Sequence, residues 1–155
     1  MAVDLAYLAR VYTNDEPYPV SREKIREFAD AVGETDTACL DVAAAQRAGH
    51  PDLLAPATFP LLLTLHNEVR ALLDPGLGMA AEGVVHRDQM IRTTRPIHAG
   101  DRLDVTSTIT ELDTVGDTDV ITFASEIRDL AGQLMCTTTS TLIAVAVDQP
   151  VGAQR

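Results

Sequence analysis

Apolar and polar positions change their spacing once along this chain, close to residue 80. Before that point apolar residues recur at a helical period; after it they alternate. The most apolar stretch runs from Phe59 to Leu73, with Phe59, Leu61, Leu62, Leu63, Leu65, Val69, Leu72 and Leu73 covering nearly every facing of a helix. A helix of that kind is buried on most sides. At about fifteen residues it is too short to span a bilayer. Pro56 and Thr58 ahead of it suit a chain bend followed by a helix start. An amphipathic helix is predicted after Ser21, its cap, with Ile25, Phe28, Ala29 and Val32 at helical spacing and Gly33 as its stop. Asp41 and Gly49 bracket a third, shorter helix. Glu34-Thr35-Asp36-Thr37 reads as an acidic turn, and residues 17–20 as a short strand.

Beyond the loop at residues 74–78 the pattern is that of strands. Val84 to Arg95 is strand-like and ends at Pro96. Leu103 to Leu112 alternates with Leu103, Val105, Ser107 and Ile109 on one face, and Val120 to Arg128 with Ile121, Phe123, Ser125 and Ile127. Leu134 to Val147 is a long last strand rich in Thr and Val, and the tail from Asp148 is expected to fray. The turns between these strands are short enough for hairpins. Helices first and antiparallel strands after predict an α+β domain over residues 1–155. Its apolar helix would lie rolled in a curved antiparallel sheet, the hot-dog arrangement.

Composition narrows the partners. A formal net charge of −11 argues against nucleic acid or an anionic membrane, either of which needs a basic face. With no Trp and 4% aromatic residues the core must be aliphatic. Cys39 and Cys136 lie far apart and give neither a disulfide framework nor zinc spacing, so no metal is expected. Residues 1–10 lack a basic segment followed by an apolar run, so no export leader is expected and the cytoplasm is the default location.

Three segments resemble one family. They are Val20-Ser21-Arg22-Glu23-Lys24-Ile25-Arg26-Glu27-Phe28-Ala29, Gly49-His50-Pro51-Asp52-Leu53-Leu54-Ala55-Pro56-Ala57-Thr58-Phe59, and Val84-Val85-His86-Arg87-Asp88-Gln89 followed by Arg95-Pro96-Ile97-His98-Ala99-Gly100-Asp101-Arg102-Leu103. In order and spacing they resemble the N-terminal MaoC-like dehydratase domain family of actinobacteria, which includes the accessory subunits of mycobacterial (3R)-hydroxyacyl-ACP dehydratase. The resemblance implies a single hot dog that pairs sheet to sheet, as a homodimer or as a heterodimer with a catalytic MaoC-like chain. It implies an acyl thioester substrate carried on acyl carrier protein or coenzyme A, and no cofactor. Catalytic members carry an Asp-x-Asn-Pro-x-His signature ahead of the central helix. Removing water across the α–β bond of a 3-hydroxyacyl thioester needs one group for the α-proton and one for the departing hydroxyl. A backbone N–H at a helix start polarises the thioester carbonyl. On this chain the signature falls on Glu34-Thr35-Asp36-Thr37-Ala38-Cys39, so Cys39 stands where the family has its catalytic His and every signature position differs. The resemblance therefore implies the fold and the substrate class more directly than catalysis by this chain.

Residue by residue, each candidate has a plain structural reading beside the functional one. Glu34 and Asp36 are an altered acid/base site or a solvated turn. Cys39 is a nucleophile or a small buried residue; no His lies near it in sequence to activate it. His50 is a turn residue or faces the tunnel mouth, His66 a packed or interfacial histidine on the helix, and His98 an exposed turn residue without a role. His86 and Asp88, two apart in a strand, should share a face, as a base with its orienting acid or as a polar contact across a dimer seam. Ala55, Pro56, Ala57, Thr58 and Phe59 are the candidate substrate-binding residues. Small side chains there admit a pantetheine arm, and unpaired N–H groups suit a thioester oxygen. Leu62 is a core residue that also lines an acyl tunnel on this reading. Two further functions remain open: a self-sufficient homodimeric enzyme using Glu34, Asp36, His50 or His86, and an acyl- or polyketide-binding protein of secondary metabolism.

Overall fold

The computed structural model describes residues 3–79 and 83–145. After a single 3-10 turn at Leu5–Tyr7, the elements are β1 (Val11–Thr13), β2 (Tyr18–Pro19), α1 (Arg22–Val32), α2 (Thr37–Leu40), α3 (Val42–Arg47), α4 (Pro60–Leu72), β3 (Val84–Thr93), β4 (Arg102–Val115), β5 (Thr118–Asp129) and β6 (Leu134–Val145). The strands form one six-stranded sheet in the order β1-β4-β5-β6-β3, with β2 also on β4, and every pairing is antiparallel. This is the hot-dog fold, with α4 lying across the sheet. None of the described helices is long and apolar enough to cross a membrane. The expected fraying from Asp148 lies outside the described residues.

Local signals set most boundaries. Ser21 Oγ accepts from the N–H of Lys24 at 3.1 Å, and Gly33, at φ +69°, donates to the carbonyls that end α1. Pro60 occupies the first helical position of α4, where a missing N–H breaks no helical bond. The β4–β5 hairpin is tighter than the sequence implies. Val115 pairs with Thr118, leaving Gly116 and Asp117 as a two-residue loop, and Gly116 takes φ +63°. Hairpin loops of that length match the strand twist only with positive φ. Two short elements are additional to the expected ones. β1 is a three-residue strand on the outside of β4, and the acidic turn runs directly into the four-residue α2.

The facing of α4 corrects one expectation. The helix is not apolar-buried all round: Leu65 is 52% exposed, Val69 39% and Leu73 65%, whereas Thr64, Asn67 and Glu68 are buried. The sheet beneath explains the inversion. Ser107 opposes Ser125 in register, and Ser125 opposes Thr138, giving a polar band across the middle of the concave face. Ser125 donates to Ser107 at 2.8 Å, and Asn67 Nδ2 reaches the Tyr12 carbonyl at 3.3 Å. The Asn67 amide nitrogen therefore points inward to partners, Thr64 and Glu68 are buried alongside it, and leucines are left outside. The band separates two apolar clusters. One, under the start of α4, contains Ile25, Leu53, Phe59, Leu63, Leu103 and Met135. The other, under its end, contains Ala71, Leu77, Ile109, Ile121, Phe123 and Leu142.

Candidate functional site

The segment that leads into α4 is pinned from both sides. Ala55 donates its N–H to the Ile97 carbonyl at 2.9 Å, Ala99 donates to Leu53 at 3.0 Å, and Leu54 bridges to His98. The chain then turns outward. Ala57 and Thr58 are exposed, and neither of their N–H groups has a backbone partner among the described residues. Pro60 has no N–H to compete, so the helix start presents two unpaired donors. Phe59 turns the other way: it is fully buried, with its ring edge-on to Phe28 at 5.4 Å. Leu62 is half-buried against the same cluster. Of the six candidate substrate-binding residues, Phe59 and Leu62 thus build the platform, and Ala57 and Thr58 face outward from it.

These outward residues form one wall of a groove. Ala57, Thr58 and Leu61 face His86, Gln89, Ile91 and Thr93 of β3 across a volume of about 590 Å³. A second hollow of about 190 Å³, lined by Ala55, Pro56, Ala57, Pro60, Thr93 and Ile97, lies on the other side of Ala57. Because Ala57 and Thr93 border both, the two spaces meet beside the helix start. A narrow chain can run past the unpaired N–H groups there. A carbonyl oxygen gaining negative charge would be stabilised at that point by both the donors and the helix dipole.

The signature positions show a different chemistry. Glu34 Oε1 accepts from the N–H groups of Thr35 and Asp36 at 2.8 and 2.9 Å. Asp36 Oδ1 caps α2 by accepting from the N–H of Ala38 at 2.9 Å. Both carboxylates thus shape their own turn. Cys39 is 2% exposed, and burial, then the Asp36 and Glu34 carboxylates, push its thiol up to about 11. Measured from an ordinary value of 9.0, that lowers the thiolate population at neutral pH about 100-fold. Cys136 is fully buried, and burial raises its thiol too. Cys39 is accordingly expected to react with alkylating probes about 100-fold more slowly in the native protein than after unfolding in denaturant, and Cys136 to be slowed in the same direction. Mass spectrometry of pulse-alkylated protein reads this directly, and rapid native labelling of Cys39 would reveal an activating group.

Two histidine expectations change. His86 and Asp88 do not share a face, because the β3–β6 register shifts between them. His86 Nε2 contacts the backbone carbonyl of Asp88 at 3.2 Å, while the Asp88 carboxylate pairs with Arg87 at 2.6 Å. A bulge of one residue is enough to undo the two-residue alternation. His86 does line the groove, opposite Ala57 and Thr58. His98 is not an exposed turn residue: it is 7% exposed, with Nε2 at 3.0 Å from Nδ1 of His50. Burial, and then the neighbouring His50, lower the pKa of His98, and the contact between the two rings braces the chain ahead of α4. His66 is exposed on the outer side of α4. The structure brings Ala57, Thr58 and His86 together and leaves Glu34, Asp36 and Cys39 outside the residues that line the groove.

Glu68 belongs to no motif that would single it out. It is 3% exposed; burial raises its pKa, with the nearby Thr64 and Ser140 hydroxyls and His86 acting in the opposite sense. Neither hydroxyl forms a well-aligned hydrogen bond to its Oε1, which is unpartnered among the described residues. The only signal in the sequence was an acidic residue in the middle of a leucine-rich helix, and an exposed facing accounts for that equally well.

Comparison with known proteins agrees with the hot-dog fold. The profile of the FAS1-like dehydratase domain region matches residues 7–138. A UPF0336 protein of Streptomyces coelicolor is 42% identical over 149 residues, covering 96% of this chain and 99% of its own length. A chain of the (3R)-hydroxyacyl-ACP dehydratase HadBC complex of Mycobacterium tuberculosis superposes with a TM-score of 0.79 at 25% identity, over 93% of this chain and 100% of that one. A MaoC-like dehydratase superposes with a TM-score of 0.84 at 30% identity, over 93% of this chain and 44% of that one.

Proposed function

The chain belongs to the FAS1-like dehydratase-region family of MaoC-like hot-dog proteins, and on that premise we propose that it is the channel-forming subunit of a (3R)-3-hydroxyacyl-thioester dehydratase. A second hot-dog chain bearing an intact Asp-x-Asn-Pro-x-His signature supplies the acid and the base. The observation that carries this reading is the split between two halves of a site. The helix start offers unpaired N–H groups beside a groove, while the position of the signature His holds a buried thiol pushed up to about 11. In this division of labour the chain holds the acyl arm and polarises the thioester, and the partner moves the protons. The substrate rides on acyl carrier protein or coenzyme A in the cytoplasm, with no cofactor.

An exposed apolar surface beside the groove supports this reading. Leu65, Val69 and Leu73 continue from Leu61 at four-residue intervals as an exposed apolar stripe along α4. Among the described residues β3 is paired through β6 alone, and it carries Val85 and Met90, 53% and 51% exposed. Stripe and edge lie on either side of the groove, so a second chain seated there would close it. The HadBC dehydratase, to which this chain is similar, is itself a complex of hot-dog chains. One observation favours a second reading, a self-sufficient homodimer: His86 lines the groove opposite Ala57 and Thr58.

The partner's residues provide the test. Replacing the signature Asp or His of a signature-bearing partner should abolish dehydratase activity of the mixture, by about 100-fold or more. Cys39→Ala in this chain should leave activity within about twofold, as expected for a small buried thiol. Activity that survives loss of the partner's pair would overturn the reading.

A further inference from the structure

The groove backs onto a polar patch that neither proton transfer nor thioester binding uses. Glu68 on α4, Ser140 and Thr138 on β6 are 3%, 0% and 2% exposed. Ser140 is the register partner of Gln89, and Gln89 lines the groove. Glu68 Oε1, Gln89 Oε1, Ser140 Oγ and Thr138 Oγ1 are all buried without a hydrogen-bond partner among the described residues. Cores seldom leave one such group unpaired. Gln89 is the one of the four that lines the groove, and Ser140 and Thr138 lie behind it as the register partners of the groove residues Gln89 and Ile91, so the groups left unpaired there are available to a polar group of a bound chain.

Position along the helix decides what kind. Glu68 is eight residues beyond Pro60, roughly 12 Å along the axis at the rise of an α-helix. The unpaired N–H groups of Ala57 and Thr58 lie at the opposite end of that distance. A thioester carbonyl held at the helix start would place its α–β bond beside it, far short of Glu68. Glu68 is therefore too distant to serve the reacting atoms, and it lies where the far part of an acyl chain would pass. A hydroxyl both donates and accepts. A carboxyl oxygen can take its proton while Ser140 or Thr138 donates to its oxygen.

We infer that Glu68, Ser140, Thr138 and Gln89 form a subsite for a hydroxyl carried near the far end of the acyl chain, so that the groove selects an oxygenated chain over a saturated one. The inference rests on the thioester reading of the groove. A saturated tail would bury four polar groups without satisfying them, the situation in which a polar pocket discriminates most strongly against an apolar ligand.

The test compares a medium-chain saturated acyl-coenzyme A with its ω-hydroxy counterpart, by calorimetric titration of the purified chain. Wild type should bind the hydroxylated thioester at least about tenfold more tightly. Glu68→Leu and, on the edge strand where folding is not at stake, Gln89→Leu should each erase most of that preference by weakening the hydroxylated ligand alone. Equal affinities in wild type, or a preference that survives both substitutions, would overturn the subsite while leaving the thioester reading intact. If neither thioester binds, to the chain alone or with its partner, both fall.

Discussion

Phe59→Ala is expected to destabilise the fold by about 3–5 kcal/mol, the range for deleting a fully buried aromatic side chain. For a chain of this size that is a fall in thermal midpoint of about 10 °C or more. The ring is completely enclosed, meets Phe28 edge-on, and packs in the cluster that joins α1, the start of α4 and the sheet. Removing it leaves a cavity that cannot collapse, because Ala55 and Leu54 are tied to the strand side through Ile97 and His98. Thermal melts followed by circular dichroism check the magnitude against Leu62→Ala, whose half-buried side chain should cost clearly less. Phe59 also sets the turn that exposes Ala57 and Thr58. Thioester binding should therefore weaken even at temperatures where the variant remains folded.

Leu65→Asp combined with Val69→Asp should weaken association with the partner chain about 100-fold or more, because two carboxylates would be buried unpaired in an apolar contact. Both side chains are substantially exposed in the single chain, so the variant should fold with an unchanged circular dichroism spectrum. Leu130→Asp is the control: that leucine is 59% exposed, but it lies in the β5–β6 turn, away from α4. Native mass spectrometry of mixed chains would show the complex disappearing for the double variant and persisting for the control. An undiminished complex would mean that α4 is not the seam.

Much of this arrangement was legible in the sequence because it is periodic. The change from helical to alternating spacing near residue 80 marks where helices give way to the sheet, and Ser21, Gly33, Asp41 and Pro60 act where their chemistry places them. What could not be read depends on contacts between distant segments. Which face of α4 points inward is decided by Ser107, Ser125 and Thr138, residues some 40 to 70 positions away along the chain. Leucines normally mark the buried face, and here that rule fails where a polar band takes the inner position. His98 is buried only because Leu54 bridges to it across the fold. The bulge after His86 separates it from Asp88, and nothing in an alternating pattern announces a single inserted residue.

The candidate site divides in the same way. Pro56, Ala57 and Thr58 could be identified from their own chemistry, since small residues before a helix start leave donors unpaired. The opposite wall of the groove, from His86 to Thr93, is set by the β3–β6 register and became visible only with the fold. Glu34 and Asp36 carried an ambiguity that hydrogen bonding addresses: their carboxylates hold the backbone of the turn that starts α2.

In the proposed division of labour this chain contributes the channel and another supplies the acid and base. The decisive measurement is hydration of a crotonyl thioester, followed first with the purified chain alone and then with a signature-bearing MaoC-like partner added. The chain alone should give no rate above background, and mixing should give rapid hydration. Turnover by the chain alone that is lost on His86→Ala would contradict that division, and would place the base on β3 of this chain instead.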